Sequence, residues 1–258
     1  MNFKSCPPDD AIALFVKDIL IYEEPDPVGQ TVLPFFADGY PGLLFQETEN
    51  GLRVHPHDKE MPVFFLYGQT IKPIELVMEG RYRLIIIQLY PFVLKQFFGV
   101  DPKSINDNCY DLSQLENKQI TTTVEQLQNE QGLQQRIGIL TDFLHSFFRE
   151  KKESLDFKIR QSLQQILDHK GQLSITDLCM ALGLNERTLE RRFQNEVGVS
   201  PKQFSKIIQF QQSLEQLMVK DYDKLTDVVY ANGFADQSHF IKVFKAFTGK
   251  TPKTFVKE

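Results

Sequence analysis

Residues 225–255 of the chain, LTDVVYANGFADQSHFIKVFKAFTGKTPKTF, repeat the pattern of residues 175–204, ITDLCMALGLNERTLERRFQNEVGVSPKQF. The two stretches align at a constant offset of 50 as far as Gly183 and Gly233, and at an offset of 51 from Phe193 and Phe244 onward. One residue inserted in the second copy accounts for the change of offset. Repetition at a constant offset indicates two copies of one supersecondary unit.

Each copy has the pattern of two short helices joined by a glycine turn. Ser174 and Asp177 fit a capping box, which begins a helix. Gly183 can adopt the left-handed conformation that ends this helix, and Asn185 can cap the next one. Two short helices joined by a three- or four-residue turn containing glycine make a helix-turn-helix.

The second helix of each copy is predicted to have an apolar face and a polar face. In the first copy the apolar stripe is Leu189, Phe193 and Val197, and the opposite face carries Arg187, Glu190, Arg191 and Gln194. In the second copy, where Gly233 lies in the turn and Asp236 is the cap, the stripe is Phe240, Val243, Phe244 and Phe247. Its polar candidates are Gln237, Ser238, His239 and Lys242. Since the stripe packs inward, the polar side chains can meet phosphates and base edges in a major groove. A merely solvated helix face is the alternative.

A long helix is predicted between the two copies. Ser200-Pro201 and Thr251-Pro252 each read as a helix cap followed by a proline in the first turn. The helix from Pro201 to about Val219 would be about 28 Å long at 1.5 Å per residue. It could therefore hold two reading helices near the roughly 34 Å that separates successive major grooves on one face of DNA.

These residues resemble the signature of the AraC/XylS family of bacterial transcription regulators. The resemblance rests on GFADQSHF at 233–240, FKAFTG at 244–249, LERRF at 189–193 and GVSP at 198–201, and it covers about residues 157–257. It implies a seven-helix domain with two helix-turn-helix units on a long helix. Carried over by position, it also implies base contacts from Arg187, Glu190, Arg191, Gln237, Ser238, His239 and Lys242. Three positions depart from the family pattern: Gln209 and Lys242 stand where arginine is usual, and Ser213 where alanine is usual.

The distribution of charge also separates the region of the resemblance from the rest of the chain. The net charge is −5, but residues 1–155 hold 14 basic and 22 acidic side chains, whereas residues 156–258 hold 15 and 12. The halves therefore carry −8 and +3. Residues 237–257 contain five lysines and no acidic residue, a local charge that is typical of an anion-binding surface.

The amino-terminal half has the pattern of a small β structure. Short apolar runs at 43–45, 63–67 and 84–87 predict strands, and the residues after Pro91 predict a helix. With 258 residues, two domains are expected: a β-rich barrel or sandwich of the cupin kind with helices at 1–150, and an all-α domain at 151–258. The linker is predicted at Arg149–Ser154. The fold class is thus α+β with two domains, and the first half resembles the sensing or oligomerisation domains of the same family.

The end of the amino-terminal half contains a polar tract at 116–131, and a helix is expected to resume at Leu133. The apolar residues Leu133, Ile137, Leu140, Leu144 and Phe147 follow a spacing of alternating fours and threes. Two heptads are too few to identify a coiled coil, so a core helix and a dimerisation helix remain equal alternatives. The full-length protein is nevertheless expected to be a dimer through residues 1–155, with the helix from Leu133 to Phe148 as the expected interface.

Composition and motifs exclude several classes. The amino terminus lacks a secretory signal, and the apolar run at 84–94 is too short to cross a bilayer, so a cytoplasmic protein without membrane contact is expected. Cys6, Cys109 and Cys179 show no disulfide or zinc spacing. No cofactor, no metal and no catalytic residue are expected, and the protein is predicted not to be an enzyme. The alternative is a metal-dependent, cupin-like enzyme fused to a DNA-binding domain, for which His55 and His57 are the best support.

The sequence therefore predicts a sequence-specific DNA-binding transcription regulator that reads two adjacent major grooves. Its expected partners are double-stranded DNA and a second copy of the chain, with RNA polymerase as a further candidate. Two modes of control remain open: a small-molecule effector bound by the amino-terminal domain, or control by dimerisation and protein amount without an effector.

Overall fold

The computed structural model of the protein describes residues 2–149 and 156–257. The strands of the first range are β1 (Asn2–Cys6), β2 (Val16–Glu24), β3 (Gln30–Phe35), β4 (Gly42–Thr48), β5 (Leu52–His55), β6 (Lys59–Glu60), β7 (Phe64–Tyr67), β8 (Ile74–Glu79), β9 (Tyr82–Leu89) and β10 (Cys109–Asp111). They form two antiparallel sheets, ordered β1-β2-β9-β4-β7-β10 and β3-β8-β5-β6. Because the sheets remain separate, the sandwich is the correct one of the two predicted alternatives and the closed barrel is wrong.

The six-stranded sheet is buried on both faces, and the alternation along its strands shows why. Leu44 of β4 faces the four-stranded sheet, whereas its neighbours Leu43 and Phe45 face the helices on the other side. Side chains two apart share a face of a strand, so a continuous apolar run is what two buried faces require. The predicted strands at 43–45, 63–67 and 84–87 are confirmed as parts of β4, β7 and β9.

Three helices follow the sheets: α1 (Val93–Phe98), α2 (Lys118–Asn129) and α3 (Leu133–Arg149). A short 3-10 turn, Pro102–Ile105, lies between α1 and β10. The polar tract at 116–131, from which no helix was expected, forms α2. Its buried side consists of Ile120, Thr123 and Leu127, and this narrow stripe is enough to seat a helix whose other faces are solvated.

The apolar strip of α3 lies in the core of its own chain. Leu140 and Leu144 are buried, and Phe143 packs against Phe64 of the sheet at 6.2 Å between ring centroids. Arg136, 1% exposed, also anchors α3 through two hydrogen bonds to the carboxylate of Glu47. The expectation that a dimer would use this strip is therefore wrong, because the strip is already covered by the sheet.

The second described range is all helix, as predicted. Its helices are α4 (Phe157–Asp168), α5 (Ile175–Leu182), α6 (Glu186–Val197), α7 (Pro201–Met218), α8 (Leu225–Ala231), α9 (Gln237–Thr248) and α10 (Pro252–Phe255). Of the predicted linker Arg149–Ser154, Arg149 ends α3 and the other residues lie outside the described ranges. None of the described helices is long and apolar enough to cross a membrane.

Candidate DNA-binding surface

The first helix-turn-helix unit consists of α5 and α6, and its ends are built as the sequence predicts. The Ser174 hydroxyl accepts from the backbone N–H of Asp177 at 3.1 Å, and Gly183 ends α5 with φ +60°. The Asn185 side chain then accepts from the N–H of Thr188 at 2.9 Å and begins α6. These caps satisfy backbone groups that a helix leaves unpaired, so they set the angle at which α6 leaves the turn.

The second unit consists of α8 and α9 and repeats this construction with one change. Gly233 has φ +73°, and the Asp236 carboxylate accepts from the N–H of His239 at 2.8 Å to begin α9. At the start of α8, Lys224 stands where the first copy has Ser174, so only half of the capping exchange remains. The Asp227 carboxylate accepts from the backbone N–H of Lys224 at 2.8 Å.

The helix α7 carries both units on its two halves. In its first half the ring of Phe204 packs against Phe193 of α6 at 5.8 Å. In its second half Phe210 packs against Phe244 and Phe247 of α9, at 5.4 and 5.1 Å. The 18 residues of α7 span about 27 Å at the usual rise of a helix. One rigid helix therefore sets the separation of the two candidate reading helices.

The residues predicted to contact DNA lie mainly on exposed faces of α6 and α9. The exposed ones are Arg187, Glu190, Arg191, Gln194, Gln237, Ser238 and Lys242. His239 differs, because it is half-buried with its ring 5.7 Å from that of Phe234. Its Nδ1 is buried without a hydrogen-bond partner among the described residues. His239 is thus partly packed against the turn of the second unit and only partly exposed on the outer face of α9.

Neighbouring polar residues are committed to structure. Arg192 points away from Arg191 and donates from Nε to the Asp156 carboxylate at 2.9 Å, which ties α6 to the start of α4. Gln209, where the family usually has arginine, donates to the carbonyl of Gly233 at 3.5 Å. Ser213 is fully buried and donates to the carbonyl of Phe210 at 2.7 Å within α7. Gln209 thus makes a neutral hydrogen bond in place of a basic contact, and Ser213 satisfies its hydroxyl within α7.

Lys245 is a candidate that the sequence reasoning missed. It is exposed on α9 and, with Ser238, Ile241 and Lys242, lines a shallow surface depression. At the offset of 51 it is the counterpart of Gln194, which was selected in the first copy. The repeat itself was therefore the signal that could have found it.

A second candidate site lies between the two sheets of the amino-terminal half. A cavity of about 500 Å³ opens there, lined by the apolar side chains Phe35, Leu44, Val54, Phe65, Leu76 and Ile86. Its polar lining includes His57, Lys59, Thr70, Lys72 and Asn106. Burial raises the pKa of Tyr67, another lining residue, well above its usual range, so its hydroxyl stays neutral. No local motif indicated this cavity, because its wall is formed by residues of eight strands, β3 to β10, and of several loops between them.

The two histidines that supported an enzyme do not lie together on one face of a strand, as that hypothesis requires. β5 ends at His55, and His57 lies in the following turn. Within residues 2–149 and 156–257, no three histidine, cysteine, aspartate or glutamate side chains come together in a way that could hold a metal ion. Burial raises the pKa of Cys179, which lies on the inner side of α5.

Comparison with known proteins agrees with these features. A helix-turn-helix domain family matches residues 178–258, and a domain of unknown function, DUF6597, matches residues 4–111. The HTH-type transcriptional activator RhaS of Yersinia pestis is 31% identical over 96 residues, which are 35% of this chain and 35% of RhaS. An uncharacterized HTH-type transcriptional regulator of Staphylococcus aureus is 22% identical over 166 residues, 62% of this chain but only 22% of that protein's length.

One solved structure with a similar arrangement is ToxT from Vibrio cholerae. It shares 14% sequence identity with this chain at a TM-score of 0.49, covering 100% of this chain and 98% of ToxT. The family match, the identity to RhaS and the two capped units on α7 agree with one another. Residues 178–258 thus match a helix-turn-helix domain of the kind found in regulators of the AraC/XylS family, which is the family that the sequence resembles.

Proposed function

We propose that the protein is a transcription regulator that binds double-stranded DNA through α6 and α9, each in one of two successive major grooves. The observation that carries the proposal is the exposure of two polar helix faces held on opposite halves of the single helix α7. The proposed base contacts are Arg187, Glu190, Arg191 and Gln194 of α6, and Gln237, Ser238, His239 and Lys242 of α9. The proposed domains are residues 1–150 and 151–258, and the proposed location is the cytoplasm, where DNA is accessible.

DNA binding by the full chain tests this function. A duplex is selected from a random-sequence pool, and its affinity is measured by fluorescence anisotropy between 50 and 200 mM salt. Neutralised phosphates release counterions, so we expect the affinity to fall by at least about tenfold over this range. A chain that selects no duplex and shows no salt-sensitive complex would overturn the function.

The cavity supports control by a small molecule. Its volume of about 500 Å³ lies within the usual range for ligand sites of roughly 300–1,000 Å³. An apolar body fits between the sheets, and an anionic group can meet Lys59 or Lys72. Thermal unfolding with decanoate, and with decanol as a neutral control, checks this class of ligand. We expect a larger stabilisation by decanoate that Lys72→Met reduces, and equal shifts would refute a role for the charge.

Homodimer formation and contact with RNA polymerase complete the proposal. Dimerisation supports binding to repeated asymmetric sites, because a second bound domain gains effective concentration. Exposed apolar residues at equivalent positions of α5 and α8, Met180 at 69% and Tyr230 at 67%, support a protein contact on the side of the first helices. Sedimentation of the full chain measures the dimer. Loss of RNA polymerase recruitment in a Met180→Ser and Tyr230→Ser variant that still binds DNA would support the second contact.

A further inference from the structure

Two side-chain amides from the amino-terminal half hold the carboxyl end of α6. Gln69 donates from Nε2 to the carbonyl of Val197 at 2.9 Å, and Asn106 donates from Nδ2 to the carbonyl of Gly198 at 2.9 Å. The last carbonyls of a helix have no partner within the helix, and a buried carbonyl needs a donor. These two hydrogen bonds, the amide bridge, therefore satisfy α6 with groups from the other domain.

The orientation of both amides is set by α6. Gln69 is 1% exposed, and its Oε1 and the Oδ1 of Asn106 are buried without hydrogen-bond partners among the described residues. A flipped amide would place its oxygen against the helix carbonyl, where two acceptors repel. The amide bridge is consequently sensitive to small displacements, because a buried polar pair that loses its geometry costs more than a solvated one.

The same two segments form part of the cavity wall. Asn106 and Asp107 line the cavity, and so do Gly68 and Thr70 on either side of Gln69. The N–H of Asp107 donates to the carbonyl of Gln69 at 3.0 Å.

Close packing reinforces this connection between the two segments. A Cβ placed on Gly68 would lie 2.1 Å from the carbonyl oxygen of Ile105. Segments packed this closely move together, so a molecule that displaces one of them displaces the other.

We propose that Gln69 and Asn106 are positioning residues that couple the cavity to the first reading helix. A molecule in the cavity shifts the amide bridge, changes the placement of α6 relative to α9, and so changes affinity for DNA. This inference rests on the proposed function, since it takes the cavity as the effector site and α6 as a reading helix. Coupling between two sites requires an element that both contact, and the amide bridge is such an element.

The experiment fills the cavity without knowledge of the effector. Cys109 lines the cavity, and a full chain with Cys6→Ser and Cys179→Ala retains it as the single thiol. Benzyl methanethiosulfonate serves as the probe. The Cys109 thiolate attacks the sulfenyl sulfur, an S–S bond forms, methanesulfinate leaves with the electron pair, and the thiol proton passes to buffer. Intact mass confirms one adduct.

Two readouts are compared in labelled and unlabelled protein: DNA affinity, and hydrogen exchange of the amides in the last turn of α6. We expect the label to change DNA affinity at least about fivefold, within the usual range of allosteric coupling.

Asn106→Asp, which replaces the donor with an acceptor of the same shape, should abolish most of this change. Gln69→Met is the second variant and introduces no buried charge. Asn50→Asp is the matched control, because Asn50 is an exposed amide that donates to the carbonyl of Glu79 in its own domain at 3.4 Å.

The outcomes separate the bridge from the proposed function. An equal response to the label in Asn106→Asp and Gln69→Met, or no response in the parent chain, overturns the coupling even if DNA binding is intact. A response in hydrogen exchange that depends on Asn106 and Gln69, in a chain that binds no duplex, keeps the bridge and overturns the DNA-binding function.

Discussion

The two helix-turn-helix units share one sequence pattern but differ in what surrounds them. The apolar residues of the first unit, including Phe193 and Val199, belong to a cluster that continues into Val100 and Ile105 of the amino-terminal half. Those of the second unit form a separate cluster around Phe210 with little beyond Phe36 and Ala37 from the other half. A duplicated sequence therefore reproduces the local geometry of a unit without reproducing its environment.

The equivalent glycines that end the two reading helices show how close each unit comes to the other domain. A Cβ on Gly198 would lie 2.9 Å from the carbonyl carbon of Pro102. A Cβ on Gly249 would have Pro73 as its nearest neighbour, 3.8 Å away. At these two equivalent glycines, the amino-terminal domain is therefore in tight contact with the first unit and in ordinary contact with the second. Four experiments test whether this difference in contact between the two units has measurable consequences.

Removing the core phenylalanine of each unit should give the largest difference. Phe193→Ala and Phe244→Ala each lose a fully buried ring, at an expected cost of about 3–5 kcal/mol in the free energy of unfolding. Because the first cluster is shared, Phe193→Ala should also raise hydrogen exchange in α1 and the turn at 102–105. Phe244→Ala should raise it in α8, α9, α10 and the second half of α7, because these elements form the second cluster. Identical exchange maps for the two variants would show that the asymmetry has no energetic consequence.

Removing one exposed cation from each reading helix should weaken DNA binding without lowering stability. Arg191→Ala and Lys242→Ala are expected to cost about 1–3 kcal/mol of binding each, the larger loss at Arg191 because its guanidinium can bind a base edge in two places. Anisotropy measures binding, and thermal unfolding checks the fold. Arg192→Ala is the matched control, since Arg192 is paired with Asp156 and should lower stability more than it alters sequence preference. A larger loss of stability in Arg191→Ala than in Arg192→Ala would mean that the faces of α6 are assigned wrongly.

A pH test examines the loop through which the amino-terminal half touches both units. Ala37 accepts a hydrogen bond from Gln211 of α7, and Gly39 lies against Phe204. Burial raises the pKa of Asp38 in this loop to about 6, although hydrogen bonds from Tyr40 and Gln88 partly offset the shift.

Because the proton is bound more tightly in the folded state, stability should rise as the pH falls from about 7 to 5. For this partly exposed loop we expect about 1–2 kcal/mol. Asp38→Asn should be more stable than the parent at pH 7 and lack this component. An unchanged pH profile in the variant would assign the dependence to other groups.

The smallest effect is expected at an ion pair of Glu196 in the first unit, where the equivalent residue of the second unit is Phe247. The Nζ of Lys95 in α1 lies 3.2 Å from Oε1 of Glu196. The other carboxylate oxygen of Glu196, Oε2, accepts a hydrogen bond from the side chain of Gln96. Glu196→Gln should lower the free energy of unfolding by no more than about 1 kcal/mol, since Lys95 is partly exposed. High salt should reduce the difference between parent and variant. A salt-independent loss of several kcal/mol would indicate a packing defect in place of a lost charge pair.

Local patterns predicted the carboxyl-terminal half well because its elements are defined by near neighbours. Caps such as Asn185 and Asp236, and the turn at Gly183, involve residues three or four positions apart, which a sequence displays directly. The polar helix α2 was missed because its buried side consists of only three residues, Ile120, Thr123 and Leu127, in an otherwise polar tract. The strip on α3 was recognised but could not be assigned to a partner, since a sheet and a second subunit present equally apolar surfaces.

The sequence by itself determined the duplication, the polar and apolar faces of α6 and α9, and the resemblance to a family of helix-turn-helix regulators, because these depend on short-range spacing. The tertiary structure decided why the copies diverge. At the offset of 51, Glu196 corresponds to the buried Phe247, and the buried Val199 corresponds to the exposed Lys250. In the first unit, Glu196 pairs with Lys95, and Val199 lies in the apolar cluster shared by both halves of the chain. In the second unit, Phe247 packs on Phe210, and Lys250 is exposed. Contacts between residues distant in the sequence select these differences, and spacing along the chain carries no record of them.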